Sequence, residues 1–384
     1  MRRVAVIGVG ITKFGKHDRT SAELFAEAAG DAIRDADVAP SAIQALYYGN
    51  VTGGESEKQL HMGPLAATLL GIPTIPTTRF ENACATSHAA FRHAVMEIAA
   101  GVSDVVMVGG AERVLNIPTD AATEYFAYCS DASWEQTVGL TFPGVFALIA
   151  RAHMDKYGTT EEQMAHVAVK NHRHGALNPK AQFRKEITVD MVLKSAYVAD
   201  PLKLLDCCPF TDGGAALVLA AEEVARKRPR AVWVLASQAA SDTMFMHEKR
   251  DLSRVMATER AAAAAYRQAG KTPAEVDVVE LHDCFTIAEI VATEGLGFFE
   301  PGSGGVAAEK GWTSLGGKIP VNPSGGLKAK GHPIGATGAG QIAEITTQLR
   351  GEAGPRQVEG ARTGLTHTLG GNTATVLVSL FGRG

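Results

Sequence analysis

Residues 32–50, AIRDADVAPSAIQALYYGN, decide the fold because a related segment recurs later in the chain. A shift of 233 positions (265 − 32) places them without a gap on residues 265–283, AYRQAGKTPAEVDVVELHD. Both copies have the same order of helix, proline and strand. The sequence therefore indicates an internal duplication of a βαβ-type unit. The identical pairs are Ala32 with Ala265, Arg34 with Arg267, Ala36 with Ala269, and Pro40 with Pro273.

The pattern around these segments predicts an α/β fold made of two halves, residues 1–228 and 229–384. Apolar, β-branched runs bounded by glycine predict buried strands, and runs that place apolar residues on one face predict helices. A less regular region at about 112–210 is interpreted as an insertion of loops and helices. The predicted strands are 3–8, 43–48, 104–110, 212–220, 230–236, 276–281 and 374–380. The main predicted helices are one that follows a cap at Thr20 or Ser21 and runs to residue 36, and those at 89–100, 256–269 and about 336–349.

Composition excludes several classes of protein. The net charge of −4 over 384 residues argues against a nucleic-acid-binding protein, which needs a basic surface. No apolar run reaches the roughly 18 residues of a membrane span, and the first residues do not resemble a signal peptide. Five cysteines, an odd number, are typical of a reducing cytoplasm. None of their spacings fits a zinc site, so no metal is expected.

A single cysteine, Cys84, lies in the loop 81–88 between an extended segment and a helix. Unpaired N–H groups and the helix dipole favour a thiolate there, and we expect a lowered pKa. Small neighbours leave room for a substrate to approach the sulfur. The alternative is a buried, inert cysteine, a common environment for this residue type.

Two histidine segments in the second half are candidates for acid–base chemistry. His282 and Cys284 directly follow a predicted strand, and residues two apart on an extended chain point the same way. His332 lies between Gly331 and Pro333, which suits an imidazole whose position matters. The alternatives are side chains that fill a strand end and, for the glycine-rich loop 322–338, phosphate binding, although the loop matches neither standard phosphate motif.

A third segment, 366–373, contains His367 and a pair of glycines before the last strand. Consecutive N–H groups at such a turn can form an oxyanion hole, and the alternative is a plain turn. Reactive groups collect beyond the carboxyl ends of strands in α/β sheets. Two related halves would thus bring Cys84 to face the histidine loops of the second half.

Taken together, these motifs resemble the thiolase superfamily over essentially the whole chain. The chain is most similar to the sterol-carrier-protein type and the archaeal acetoacetyl-CoA thiolases. In this group His-Asp-Cys-Phe replaces Asn-Glu-Ala-Phe, and His367 takes the place of a second cysteine. The motifs are NACATS at 82–87, DCCPFTDGGAA at 206–216, HDCF at 282–285, NPSGG at 322–326, GHP at 331–333, and His367 with Gly370-Gly371.

The resemblance implies a layered α-β-α-β-α fold with two mixed five-stranded sheets, and a role for each motif residue. Cys84 would be the nucleophile that is acylated, and His332 would activate it. Cys284 would transfer protons in place of the missing second cysteine, and His282 would contribute to an oxyanion hole. The role of His367 stays open between base, hydrogen-bond partner and bystander.

The resemblance also implies a function, a coenzyme A-dependent acyltransferase that forms or cleaves a β-ketoacyl-CoA in lipid metabolism. Coenzyme A would be a substrate, with no tightly bound cofactor, and Ser324, Gly325, Leu369 and Gly370 would contact it. The N–H of Cys84 and the backbone near Leu369 and Gly370 would form a second oxyanion hole. A homodimer and a small zinc-ribbon, OB-fold partner are expected. The alternatives are a retro-aldol lyase acting on a branched acyl-CoA and a non-catalytic acyl-CoA-binding scaffold.

Overall fold

The computed structural model describes residues 2–383 as a mixed α/β structure. Its strands are β1 (Val4–Ile11), β2 (Ala45–Gly49), β3 (Thr77–Phe80), β4 (Val105–Glu112), β5 (Tyr197–Ala199), β6 (Leu202–Lys203), β7 (Gly213–Ala221), β8 (Val232–Ser241), β9 (Val278–Glu280), β10 (Thr363–Gly370) and β11 (Thr375–Arg383). Its α-helices are α1 (Ser21–Ala36), α2 (Gly53–Ser56), α3 (Met62–Leu69), α4 (Thr86–Ala100), α5 (Thr119–Ala127), α6 (Phe142–Tyr157), α7 (Glu161–Ala176), α8 (Val189–Leu193), α9 (Glu222–Ala225), α10 (Met256–Ala269), α11 (Thr286–Gly295), α12 (Gly304–Glu309), α13 (Gly326–Ala329) and α14 (Thr337–Arg350).

Nine strands form one continuous mixed sheet in the order β3-β2-β4-β7-β1-β8-β11-β10-β9. The first five belong to the first half and the last four to the second. The halves meet where β1 and β8 pair antiparallel, Ala5 with Trp233 and Val6 with Val232. This differs from two separate five-stranded sheets. In the second half the fifth position holds only one isolated bridge, between Val279 and Val321.

The duplication is visible in the local backbone. Helices α1 and α10 both end at a residue in the left-handed conformation, Asp37 with φ 50° and Gly270 with φ 62°. A short 3₁₀ turn that begins at a proline follows each helix, at Pro40 and at Pro273, and a strand comes next. The strands pair in the same way too: β2 is parallel to β4, and β9 is parallel to β10. The α/β fold built from two repeated halves is confirmed.

Two helices, α4 and α14, form the middle layer of the structure. Their apolar faces share one core with strands of both halves, including Val106 on β4 and Val278 on β9. Helices α1 and α3 cover the other face of the first half, and α10 and α11 cover the other face of the second. The layers therefore run α-β-α-β-α. This arrangement points the N-termini of α4 and α14, and the loops before them, toward a common region.

Residues between β4 and β7, which are neighbours in the sheet, form helices α5 to α8 and the small β5–β6 hairpin. They include the predicted insertion at 112–210. Helix α7 begins with a capping box, in which Thr160 and Gln163 satisfy each other's backbone N–H groups. The division of the chain at residues 228 and 229 stays a prediction. Among residues 2–383, no helix is long and apolar enough to cross a membrane.

Candidate active site

Cys84 lies on the tight loop that joins β3 to α4, two residues before the helix begins. Ala83 adopts a left-handed conformation with φ 46°, a strained geometry for a residue with a side chain. The Thr86 hydroxyl holds this turn, since it accepts the Asn82 N–H at 2.8 Å and donates to the Ala83 carbonyl at 2.5 Å. These hydrogen bonds stabilise the turn in a conformation that directs the Cys84 side chain toward the second half.

His332 reaches Cys84 from the glycine-rich loop of the second half, 248 residues away in sequence, and its Nε2 lies 3.3 Å from the Cys84 Sγ. The other ring nitrogen, Nδ1, lies 2.7 Å from the Thr337 hydroxyl. That hydroxyl donates its only proton to the Pro333 carbonyl at 3.0 Å, so it accepts from Nδ1–H. The bond fixes the tautomer and leaves the Nε2 lone pair facing the thiol.

His282 and Cys284 complete the group at the end of β9. The rings of His282 and His332 meet edge to face with centroids 5.1 Å apart. Neither ring nitrogen of His282 has a hydrogen-bond partner among the described residues, although the side chain is fully buried. Both His282 and Cys284 line the same cavity as Cys84. Buried polar groups normally have partners, so the ring is available to a ligand.

The glycine turn after β10 approaches Cys84 through Gly371. The N–H groups of Gly371 and of Cys84 itself both act on the sulfur and favour its charged form. Leu369 lines the cavity with Gly371, whereas Gly370 lines a separate cleft of about 680 Å³ on the other side of the Cys84 loop. A side chain at Gly370 would meet the Asn82 carbonyl at 2.7 Å, so the close approach requires glycine. The N–H that reaches the sulfur is therefore one residue beyond the predicted position.

Three predicted residues lie behind the cavity wall rather than on it. His367 is fully buried on β10, and its Nε2 pairs with the Thr258 hydroxyl at 3.0 Å. The Ser324 hydroxyl donates to Glu280 at 2.7 Å, and Gly325 has φ 101° against the backbone of Gly175. This placement does not favour direct contact of Ser324 or Gly325 with coenzyme A, because the loop places both residues behind the side chains that line the cavity.

The cavity around Cys84 has a volume of about 190 Å³ and is lined mainly by apolar side chains. Phe126, Phe146 and Phe285 surround it, and the last two rings stack with centroids 4.7 Å apart. Val198 and Leu204, both partly exposed, lie on the wall that leads outward. Phe126 comes from the insertion, whereas Trp134 of the same region is exposed. Such walls make the surroundings of Cys84 largely apolar.

Two family models match the chain. The "Thiolase, N-terminal domain" model matches residues 4–223, and the "Thiolase C-terminal domain-like" model matches residues 238–383. The chain belongs to the thiolase family. The predicted resemblance is confirmed.

Relatives of this thiolase cover its whole length. An acetyl-CoA acetyltransferase of Methanothermobacter thermautotrophicus is 48% identical over 100% of both chains, and one of Methanocaldococcus jannaschii is 39% identical over 99% of both. Sterol carrier protein 2 of Bos taurus is 38% identical over all of this chain and 72% of its own. Among solved structures, the "Ltp2-ChsH2(DUF35) aldolase" matches with a TM-score of 0.84 and 28% identity, covering 99% of this chain and 98% of that one.

The resting thiolase site is uncharged. Burial raises the pKa of the Cys84 thiol well above its usual value, and neighbouring thiols add to the effect. The lowered pKa expected from the helix N-terminus is therefore wrong for the resting enzyme, because burial outweighs the N–H groups. Burial lowers the pKa of His332 to about 3 and that of His282 well below its usual value. Burial also raises the pKa of Cys284, which stays a thiol.

One residue that sequence reasoning missed, Glu112, connects the two halves at the site. Its fully buried carboxylate ends β4 and accepts five hydrogen bonds, including one from the Gly335 N–H, three residues beyond His332. Glycines at 49, 110 and 335 let the backbones meet here. A glutamate that follows Gly-Gly-Ala in a buried strand was the available sequence signal. The donors are Asn50 Nδ2 at 2.9 Å, Val51 N at 3.1 Å, Thr52 N at 2.8 Å, Thr52 Oγ1 at 2.6 Å and Gly335 N at 2.8 Å.

Proposed function

We propose that this thiolase is a coenzyme A-dependent acyltransferase that forms or thiolytically cleaves a β-ketoacyl-CoA through an acyl-Cys84 intermediate. The observation that carries the proposal is the 3.3 Å approach of His332 Nε2, with its tautomer fixed, to the Cys84 sulfur. The full-length relatives named acetyl-CoA acetyltransferase support an acetyl group as the transferred unit. Coenzyme A acts as a substrate.

In thiolysis, His332 Nε2 takes the Cys84 proton as the sulfur attacks the β-carbonyl carbon. The N–H groups of Cys84 and Gly371 stabilise the oxyanion that forms. The carbon–carbon bond then breaks, and Cys284 donates a proton to the departing acetyl-CoA carbanion, whose thioester oxygen accepts a hydrogen bond from a ring N–H of His282. Coenzyme A next gives its thiol proton to the Cys284 thiolate and attacks the acyl-Cys84 thioester. Acyl-CoA leaves, and Cys84 recovers its proton from His332.

The two alternatives have less support. A retro-aldol lyase does not need an acylated cysteine, whereas here a base faces the cysteine directly. A non-catalytic scaffold has no use for a sulfur and two imidazoles in one largely apolar cavity. The full-length relatives are named for acyl transfer.

The test is thiolysis of acetoacetyl-CoA by the intact chain and by Cys84→Ala, with mass spectrometry of the trapped acyl adduct. We expect the variant to lose turnover and the adduct, while Cys129→Ala, whose thiol faces the neighbouring cleft, keeps both. Full activity in Cys84→Ala would overturn the proposal. Turnover of a branched 3-hydroxyacyl-CoA with no adduct would favour the lyase, and binding without turnover across an acyl-CoA panel would favour the scaffold.

A homodimer is the assembly we propose, and β3 is the edge through which it would form. This strand pairs only with β2 in the sheet, so one side of its backbone is open to a second chain. Leu60 and Leu69 are exposed just before and at the end of α3, which packs beside β3. Light scattering on the purified chain tests this, with a doubled mass expected.

A small zinc-ribbon, OB-fold partner and a place in cytoplasmic lipid metabolism are also proposed. The similar aldolase structure is named for a second protein, ChsH2(DUF35), as well as for Ltp2, which supports looking for a partner. The five free cysteines suit a reducing compartment. Comparing turnover of the chain alone and with a candidate partner tests the first point.

A further inference from the structure

Three side chains at the site have the geometry of metal ligands. One donor atom each from Cys84, His282 and His332 lies within 4.8 Å of the other two. In tetrahedral zinc sites a sulfur and a nitrogen ligand are about 3.5 Å apart, as follows from bond lengths of about 2.3 and 2.0 Å. The Cys84–His332 distance of 3.3 Å already matches that spacing. The His282 donor atom lies no more than 4.8 Å from the other two, so a side-chain movement on the order of 1 Å at most brings it to ligand spacing.

The two imidazoles are prepared for coordination. Ligating histidines usually hold one ring nitrogen in a hydrogen bond so that the other faces the metal, and Thr337 does this for His332 at 2.7 Å. His282 is fully buried with both ring nitrogens free of partners among the described residues, and it points into the cavity.

We propose that Cys84, His282 and His332 form a binding site for Zn²⁺ or a similar thiophilic divalent cation, which reversibly blocks the nucleophile. The ion bonds to the sulfur as the thiol proton leaves to solvent, so one proton is released for each ion bound and no redox step occurs. The cavity supplies the fourth position, for water or a thiol. Sequence spacing did not predict this site because its ligands come from three loops.

The proposal does not depend on acyl transfer, since it follows from the donor atoms alone. Binding would make Cys84 unavailable both to acyl-CoA and to alkylating agents. Activity would then fall as the free zinc concentration rises, and it would recover when a chelator is added. Three other cysteines line the cavity, Cys207, Cys208 and Cys284, and all three are outside the three-ligand group. Cys208 provides a matched control.

The test is titration of the reduced, full-length chain with Co²⁺ and then Zn²⁺, in a buffer without thiols. We expect one equivalent to bind, with a sulfur-to-cobalt charge-transfer band that zinc displaces and one proton released. Cys84→Ser should abolish the band, and His282→Gln should weaken binding by at least about tenfold, since losing even an outer-shell partner costs about that much. Cys208→Ser should bind as the unaltered chain does.

Circular dichroism establishes that each variant is folded, and His282→Gln gives a second test if Cys84→Ser is unstable. A band that survives Cys84→Ser, equal affinity in His282→Gln, or no binding at millimolar Co²⁺ would overturn the proposal. Thiolysis is measured separately on the same preparations. Turnover without metal binding defeats only this inference, whereas metal binding without turnover defeats only the proposed function.

Discussion

Replacing Glu112 by glutamine tests whether the contact between the halves keeps His332 beside Cys84. One carboxylate oxygen accepts from the N–H groups of Val51 and Gly335, and the other accepts from Asn50 and Thr52. Glutamine has the same shape, but its NH₂ group can only donate. In either orientation of the amide, the glutamine NH₂ group therefore faces at least two N–H groups that the carboxylate oxygen had accepted from, and those hydrogen bonds are lost.

The expected cost follows from those two lost bonds. A hydrogen bond to a charged group contributes about 1.5–3 kcal/mol, so two give roughly 3–6 kcal/mol. Burial raises the pKa of Glu112, which means that the charge itself is costly here, and a neutral amide recovers part of that cost. We expect a net loss of about 2–4 kcal/mol, concentrated where Gly335 meets the first half. A displacement of His332 by about 1 Å would reduce kcat by up to about 100-fold.

The assay is kcat and KM for thiolysis, together with the alkylation rate of Cys84 followed by mass spectrometry. We expect kcat and the alkylation rate to fall about 10- to 100-fold, with a smaller change in KM. Glu294→Gln is the control, because Glu294 is similarly buried but accepts from His153 and Gly304, which lie outside the cavity lining. If Glu112→Gln destabilises the chain as this control does yet alkylates at the unaltered rate, the positioning argument is refuted.

Three further predictions concern the same site. Cys284→Ala should keep acylation of Cys84 but lose condensation, and loss of acylation itself would give Cys284 a different role. Because burial raises the pKa of Cys84, its thiolate fraction and alkylation rate should rise about tenfold per pH unit from about pH 7 to 9; a plateau by pH 7 would indicate a resting ion pair with His332. Gly335→Ala, whose Cβ would meet the Gly49 carbonyl at 2.6 Å, should lower kcat at least about tenfold, whereas Gly30→Ala in α1 should not; equal kcat values would contradict the steric argument.

Much of the fold could be predicted from the sequence because its strongest signals are local. Pro40 and Pro273 hold equivalent 3₁₀ turns, and the helix 256–269 has the predicted bounds. The strand predicted at 276–281 was longer than the observed β9 (Val278–Glu280), because strand ends depend on partners that no local pattern specifies. The pairing of β1 with β8 could not be predicted either, since it involves only two residues of each strand and joins one half to the other.

The candidate site, like the fold, has features that a short segment of sequence predicts and features that depend on the whole fold. Cys84 and His332 were predicted to share a pocket, and the structure places them in contact. The protonation state of Cys84 was predicted wrongly because burial is a property of the whole fold, whereas a helix N-terminus can be predicted from a short segment. Thr337 was missed for a related reason, since its role depends on a hydrogen bond back to Pro333 that appears only once the loop closes.

The uncharged resting state has a chemical consequence for the proposed reaction. A thiol and a neutral imidazole that lie 3.3 Å apart in an apolar cavity are not an ion pair. The Cys84 thiolate therefore forms only as negative charge develops on a bound carbonyl oxygen. The N–H groups near Cys84 stabilise that oxygen at the moment the imidazolium appears, which couples proton transfer to attack. The duplicated fold suits this task, because one half supplies the sulfur and the other supplies the base. Cys84 and the base that faces it come from different halves, so the contact that Glu112 makes between the halves would hold this pair together in the proposed reaction.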